Sequence, residues 1–307
     1  MPYLLKKSVK GKTYYYLIAN VRTAKGWKKI QVYAGAKPPT KQELSRYNLA
    51  LKKRVDAYLK ATDPLLRMIQ PQDEKALEDV RKAYRKLLAQ SPTVKEKYYE
   101  WFVTTYTYDS NAIEGSSLTL RETSAVLFEG IAPTGRPLRD IRAAENHKEA
   151  YDWMIRYKGD LSKQFILRLH KILTDGILEP NESGRIRKVQ VYIRGAREIP
   201  PRPEDVEPRL AALLKWYKRN KKRYHPAVVA SYFHGAYEGI HPFVDFNGRS
   251  GRLLLNFILM KNRFPPIDIR NKYRLKYYSA IAAAVAGDIK PLIRLVVGYL
   301  KEVPKID

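Results

Sequence analysis

The polarity pattern of the chain changes period near residue 40. Over residues 4–9, 13–21 and 29–33, short runs of aliphatic and tyrosine residues are separated by Gly11-Lys12 and Lys25-Gly26. Such runs between glycine turns predict strands, here a three-stranded antiparallel sheet closed by Pro38-Pro39. Beyond it the apolar positions recur at three- and four-residue intervals, the spacing of one helix face. Thr40 and Glu43 form a capping-box pattern. Leu44, Tyr47, Leu51, Val55 and Leu59 then carry a helix to about residue 60. The same spacing predicts helices over 73–90, 94–114, 119–128, 138–156, 161–174, 206–219, 227–240, 249–261, 271–286 and 290–302. One stretch departs from it. Val189, Val191 and Ile193 alternate with Gln190 and Tyr192, and Gly195 and Pro200-Pro201 follow, which predicts a short β-hairpin. The fold class is therefore mainly α, with one hairpin in a helical core and a small N-terminal sheet-plus-helix appendage. Turn residues at 62–64 and 70–72 suggest three regions: 1–62, 63–118 and 119–307.

Composition adds three constraints. The chain has 307 residues and no cysteine, so it has no disulfide framework, thiolate metal site or cysteine nucleophile. No apolar run approaches the ~20 residues of a membrane span, and the first residues lack a signal-peptide pattern. The expectation is a cytoplasmic protein with no membrane partner. The net charge is +27, a balance that attracts polyanions. Residues 1–60 hold fifteen Lys and Arg against only Glu43 and Asp56, interleaved with Tyr14, Tyr15, Tyr16, Trp27 and Tyr33. That mixture suits nucleic acid, suits docking of a protein partner, and equally suits a small sheet packed on its own helix.

The chemistry concentrates in residues 241–252, His-Pro-Phe-Val-Asp-Phe-Asn-Gly-Arg-Ser-Gly-Arg, between two apolar helical patterns. A helix starting near Asn247-Gly248 would aim free backbone N–H groups and its positive dipole end into the turn, a setting for phosphate. Arg249 and Arg252 lie three apart on one face of the first turn, and their planar forks match phosphate oxygens. Asp245 is a hard oxygen ligand of the kind that holds phosphate-bound magnesium. His241 has the ordinary pKa, roughly 6.5, suited to proton transfer near neutrality. His234, two helical turns before His241, makes a His234–His241–Asp245 metal site an alternative.

This motif resembles that of the Fic family. The likeness extends through residues 184–187 and 189–193, Pro200-Pro201, the His234 helix, Arg252-Leu253-Leu254-Leu255-Asn256 and Tyr277-Tyr278. It implies a helical core that moves AMP from ATP onto a Ser, Thr or Tyr hydroxyl of a protein, itself included. His241 would be the base and Asp245 the Mg2+ ligand. Asn247, Gly248, Arg249 and Arg252 would bind the phosphates. Val189, Val191 and Ile193 would form the flap that lays the target beside the nucleotide by strand addition. Asn256, Tyr277 and Tyr278 are candidate nucleotide contacts.

Ser110-Asn111-Ala112-Ile113-Glu114-Gly115 resembles the family's inhibitory helix signature. Ser110 and Glu114 share a helix face at i, i+4. By that resemblance Glu114 pairs with Arg252 and withholds it from the γ-phosphate. The same glutamate could instead position water for removal of AMP, and the same scaffold could transfer UMP, phosphocholine or phosphate. A reading of a different class makes the chain a nucleic-acid-binding regulator served by residues 1–60, and a homodimer is a further expectation. One position departs from the family pattern. Phe246 stands where glycine is usual, although glycine is what a left-handed turn favours. The expectation is a retained turn with the ring turned into the core.

Overall fold

The computed structural model describes residues 2–23, 26–193, 195 and 198–303. It divides into two compact units, Met1–Met68 and Ile69–Asp307. In the first, β1 (Tyr3–Val9), β2 (Lys12–Thr23) and β3 (Gly26–Gly35) form an antiparallel sheet in sequence order. Leu5 faces Tyr16 and Ile18 faces Gln31, with an irregularity between Tyr15 and Tyr16. Helix α1 (Lys41–Thr62) opens on the expected capping box: the Thr40 N–H donates to Glu43 Oε2 at 2.8 Å and the Glu43 N–H to Thr40 Oγ1 at 3.3 Å. It packs across β2 and β3. Leu17, Val21, Ala34 and Leu51 are buried in this unit.

The second unit is helical among its described residues. In order come α2 (Pro71–Leu88), α3 (Pro92–Ile113), α4 (Leu120–Ser124), α5 (Leu138–Arg156), α6 (Lys163–Leu173), α7 (Pro203–Asn220), α8 (Pro226–Ile240), α9 (Asn247–Lys261), α10 (Arg274–Val285) and α11 (Lys290–Glu302). The α8–α9 pair forms its centre, with α7, α10 and α11 against α8 and with α3, α5 and α6 against α9. Both central helices are buried nearly all round, α8 mostly with apolar side chains and α9 with polar and charged ones in its first turns. Their crossing depends on Gly251, where a Cβ would lie 2.3 Å from Glu238 Oε1. The sequence pattern ran 119–128 as one helix. The chain instead widens to a π-type turn over Ala125–Glu129 and stops at left-handed Gly130. The pattern over 271–286 divides into a 3-10 turn, Asn271–Tyr273, and α10.

The expected hairpin at 189–201 is not a hairpin of paired strands. No strand is found there among the described residues; Arg194, Ala196 and Arg197 lie outside them. Pro200 and Pro201 carry no N–H to donate to a ladder. Side chains bridge the two limbs instead. Arg187 donates from Nη1 to the Val189 carbonyl (2.9 Å) and from Nη2 to the Pro201 carbonyl (2.6 Å). Gln190 Nε2 donates to the carbonyls of Val191 and Pro200, both at 3.0 Å. Val189 and Ile193 are exposed, as a docking edge requires, while Val191 is half-buried.

Candidate active site

Helix α8 ends at Ile240 and α9 starts at Asn247, so the chain reverses in six residues. Both flanks of the turn are left-handed, His241 at φ 51° and Phe246 at φ 62°. Among the described residues only Lys10 and Arg263 are other non-glycine positions with positive φ. Each such residue costs roughly 1–2 kcal/mol, so the surrounding packing must hold the turn in place. Asn247 does part of this with its buried side chain, which accepts from the Phe243 N–H and donates to the Phe243 carbonyl, both at 2.9 Å. His170 supports it from α6. Its ring stacks on Phe243 at 3.6 Å. Its Nδ1 accepts from the Gly184 N–H at 3.0 Å, so Nε2 carries the hydrogen and donates to the Asp245 carbonyl at 3.1 Å. Burial pushes His170 down to about 4, which keeps it neutral.

The chemical groups sit on this frame. Burial lowers the pKa of His241, partly opposed by the nearby Glu238 carbonyl, and its buried Nδ1 has no well-formed hydrogen bond. Asp245 Oδ1 accepts from the Phe246 N–H at 2.6 Å, and Oδ2 pairs with Arg139 at 2.5 Å. No side chain caps α9, so helix geometry leaves its first N–H groups without intrahelical acceptors. Glu114 comes to that end of the helix. A Cβ on Gly248 would lie 2.2 Å from Glu114 Oε1, so glycine is what admits the carboxylate there.

The two arginines meet different surroundings. Arg252 is buried and its donors are taken up by α3 and α10. Nε donates to Ser110 Oγ (3.0 Å), Nη2 to the Ser110 carbonyl and to Glu114 Oε1 (both 2.8 Å), and Nη1 to the Tyr277 hydroxyl (3.5 Å). Burial opposes its charge, but the Glu114 carboxylate and the Tyr277 hydroxyl together outweigh that and raise the pKa. Helix α3 is fixed just there: the Ser116 N–H reaches the Asn111 carbonyl and the Gly115 N–H the Ala112 carbonyl, closing a Schellman cap on left-handed Gly115. Arg249 is also buried, yet its closest acceptor is Asn111 Oδ1 at 3.3 Å. Asp245 lies 3.6 Å from its Nη2, and its Nε has no partner among the described residues. Burial pushes it down to about 10. Its guanidinium lies on the Phe246 ring, 3.5 Å from the centroid.

With that geometry in hand, comparison with known proteins is direct. Residues 160–259 match the Fic/DOC family. The chain carries a Fic/DOC-family domain. Over 208 residues, 66% of its length, it is 35% identical to the protein adenylyltransferase Fic of Nematostella vectensis, covering 47% of that protein. It is 31% identical over 245 residues to fic-1 of Caenorhabditis briggsae, covering 76% of this chain and 46% of that one. The chain thus spans about half the length of the curated relatives it matches. Among solved structures, C. elegans Fic-1 (aa134–508) superposes with a TM-score of 0.67 at 28% identity, over 87% of this chain and 75% of that one. A Fic domain containing signaling protein from Bacteroides thetaiotaomicron shares the fold at 22% identity, with a TM-score of 0.67 over 74% of this chain and 94% of that one.

The fold therefore gathers His241, Asp245, Gly248, Arg249 and Arg252 of the Fic domain, with Ser110 and Glu114 from α3, around one helix terminus. Three expected nucleotide contacts are engaged by the protein itself. Asn256 is not free for a nucleotide: its amide exchanges two hydrogen bonds with the Ile267 backbone, at 2.9 and 2.8 Å. Tyr277 is buried, with its hydroxyl 2.9 Å from His234 Nε2, and Tyr278 donates to the Ile113 carbonyl at 2.6 Å with its ring partly exposed. His234 thus faces Tyr277, and the described residues hold no cluster of three metal-ligating groups. Burial holds its pKa down to about 3 and pushes its neighbour Glu238 up to about 8.

Sequence reasoning gave no role to three residues of this site. Arg187 is buried and donates from Nε to the His241 carbonyl at 2.8 Å while holding both limbs of the 189–201 segment. A basic residue just before a candidate flap was the available signal. Arg139 covers Asp245 from α5, and His170 supports the turn from α6. Both lie far from the motif in sequence, and no spacing rule links them to it.

Proposed function

We propose that this Fic domain transfers AMP from ATP to a hydroxyl of a protein, and that Glu114 restrains it. The observation that carries the reading is the arrangement at the start of α9. A base, a carboxylate and two arginines converge on an uncapped helix terminus, the setting that anionic phosphate requires. The relatives' name, protein adenylyltransferase, supports the same activity. His241 takes the proton from the target hydroxyl, and its lowered pKa keeps the ring neutral and ready at neutral pH. The hydroxyl oxygen bonds to the α-phosphorus, the bond between the α-phosphorus and the bridging oxygen breaks, and pyrophosphate leaves with that oxygen. N–H groups at Asn247 and Gly248 face the charge developing on the phosphate, and Arg249 and Arg252 hold the outer phosphates. The 189–193 segment, with Val189 and Ile193 exposed, meets the target chain by strand addition.

Asp245 suits Mg2+. It is a single carboxylate in the turn, with 41% of its side chain exposed, and Mg2+ on a nucleotide keeps several waters and needs only one or two protein carboxylates. Bound there, the ion would neutralise phosphate charge. Arg139 must then release Asp245 Oδ2. Glu114 restrains the reaction by holding Arg252 and by placing a carboxylate against Gly248, where phosphate would come. Glu114→Gly should therefore raise AMP transfer, read as label from ATP appearing in added protein or in the chain itself. An unchanged rate would refute the restraint. Transfer of UMP but not AMP by the same variant would refute the nucleotide assignment.

A second reading concerns residues 1–62, for which an exposed surface speaks. Residues opposite one another in the sheet share a face, which sets Tyr3, Lys7, Tyr14 and Tyr16 with Trp27, Lys29, Gln31 and Tyr33. The rings of Tyr14 and Tyr16 contact Tyr33 at 6.2 and 5.5 Å, and Trp27 is 72% exposed. Aromatic rings among lysines on a sheet fit single-stranded nucleic acid. Binding of a fluorescent oligonucleotide by the full chain should fall steeply with salt and weaken on Trp27→Ala. Binding indifferent to both would refute this role.

A further inference from the structure

We infer that Phe246 is a positioning residue: its ring holds the Arg249 guanidinium by the face and leaves the in-plane N–H fork only lightly engaged and open to phosphate. The inference rests on the nucleotide-transfer reading given above and concerns the residue that stands where glycine is usual.

Four observations converge on it. Phe246 keeps the left-handed backbone, φ 62° and ψ 16°, at the N-cap of α9. Its ring is buried, so the side chain was not merely tolerated at the surface. The Arg249 side-chain carbon Cζ lies 3.5 Å from the ring centroid, van der Waals contact with the guanidinium over the ring. Arg249 is otherwise held loosely: Asp245 Oδ1 forms an ion pair 3.6 Å from Nη2, beyond hydrogen-bond distance, Asn111 Oδ1 accepts from Nη1 at 3.3 Å, and Nε has no partner among the described residues. A buried guanidinium is commonly held by a carboxylate, which consumes the same N–H edges that phosphate would use. An aromatic face holds it through the π system instead, and a cation–π contact is strongest where water is excluded. N-cap and N3 are three residues apart, on one face of the helix, so the contact follows from where Phe246 sits. A glycine at this position can make the turn but not the contact. Phe246 also reaches the other side of the site, since its N–H donates to Asp245 Oδ1 at 2.6 Å.

The readout that separates positioning from mere packing is the affinity for ATP relative to AMP, because AMP lacks the outer phosphates that Arg249 would hold. In the Glu114→Gly protein, with binding followed by calorimetry, Phe246→Leu should weaken ATP about tenfold, 1.4 kcal/mol, and leave AMP unchanged. Phe246→Tyr, which keeps the ring, should bind ATP as Phe246 does. In an Arg249→Ala background, Phe246→Leu should cause no further loss, because the two residues act as one unit. If the leucine variant does not fold, Phe246→Gly removes the ring and relieves the backbone together, and should show the same ATP-specific loss. Equal losses for ATP and AMP, or additive losses with Arg249→Ala, would overturn the inference while leaving nucleotide transfer intact. Failure of Glu114→Gly itself to bind ATP would instead overturn the nucleotide reading, and the inference with it.

Discussion

Arg249 and Arg252 are one helical turn apart and chemically identical, yet they are held in opposite ways. Arg252 is saturated: a hydroxyl, a carbonyl and a carboxylate from α3 and a phenol from α10 meet its N–H groups. Arg249 rests on a ring with its donors little used. Sequence spacing treats them alike, because both sit on the face of α9 that opens the helix. The difference comes from what each meets in space. The last turn of α3 arrives over Arg252, whereas Asn111 on that helix gives Arg249 only a long contact. The site is therefore closed at one arginine and poised at the other, and access of ATP should be governed at the Arg252 end.

The largest expected effect breaks the closed end. Glu114→Gly removes the carboxylate from Arg252 and from the start of α9 together. Breaking a buried ion pair costs about 3–5 kcal/mol, and Glu114 is 30% exposed, which places the release at the lower end. A gain of about 100-fold in AMP transfer follows, at 1.4 kcal/mol per tenfold. A change below threefold would show that the closed end does not limit access.

The next contrast is in stability. Arg252→Ala leaves Glu114 without its partner and removes the tie between α3 and α9, so unfolding free energy should fall by about 3 kcal/mol. Arg249→Ala gives up one ring contact and a long hydrogen bond, a loss of about 1–2 kcal/mol. Urea denaturation of the two variants measures the difference directly. Equal losses would mean that both arginines serve the fold alike.

The pH profile tests the base between them. Burial lowers the His241 pKa from its ordinary 6.5. The neutral ring is the active form of a base, so activity is full above the pKa and lost as pH falls through it. In the Glu114→Gly protein the acid limb of kcat/KM, which reports the free enzyme, should have its midpoint below 6.5, with a tenfold loss per pH unit beneath it. A midpoint above 6.5 would exclude His241 as a base in the environment described here.

Much of this was legible in the chain itself. The 3.6 period located the helices, and the turn residues located α8, α9 and the cap at Gly115, because those signals are local. Ser110 and Glu114 at i, i+4 already shared a face. That Arg252 lies under that face is a tertiary fact, 138 residues apart, and only the family resemblance suggested it. The hairpin was misjudged for a reason visible afterwards. Alternation over 189–193 is a strand signal, but the paired prolines opposite cannot supply a ladder, and Arg187 and Gln190 bridge the limbs through side chains. Residues such as His170 and Arg139 were invisible because they act on the motif from other helices.

Between those two ends, Ser110→Ala tests how finely the closed end is built. It removes the hydroxyl that accepts from Arg252 Nε, while the Ser110 carbonyl and Glu114 still hold Nη2. One neutral acceptor for a charged donor contributes about 1.5 kcal/mol, so AMP transfer should rise about tenfold, well short of the effect of Glu114→Gly. A rise equal to that of Glu114→Gly would place the restraint in the helix as a whole and not in the carboxylate.

The smallest effect lies at the poised end. Arg139 pairs with Asp245 at 2.5 Å, but its side chain is 57% exposed and that of Asp245 41%. Exposed pairs contribute about 0–1 kcal/mol, so the pair should yield readily to a divalent cation. Arg139→Ala should lower the Mg2+ concentration needed for half-maximal ATP binding about two- to fivefold, with ATP affinity at saturating Mg2+ unchanged. Titrating Mg2+ against a fluorescent ATP analogue measures the shift without requiring turnover. A higher Mg2+ requirement would mean that Arg139 helps to hold the loaded nucleotide, and the poised end would then need two arginines to receive phosphate.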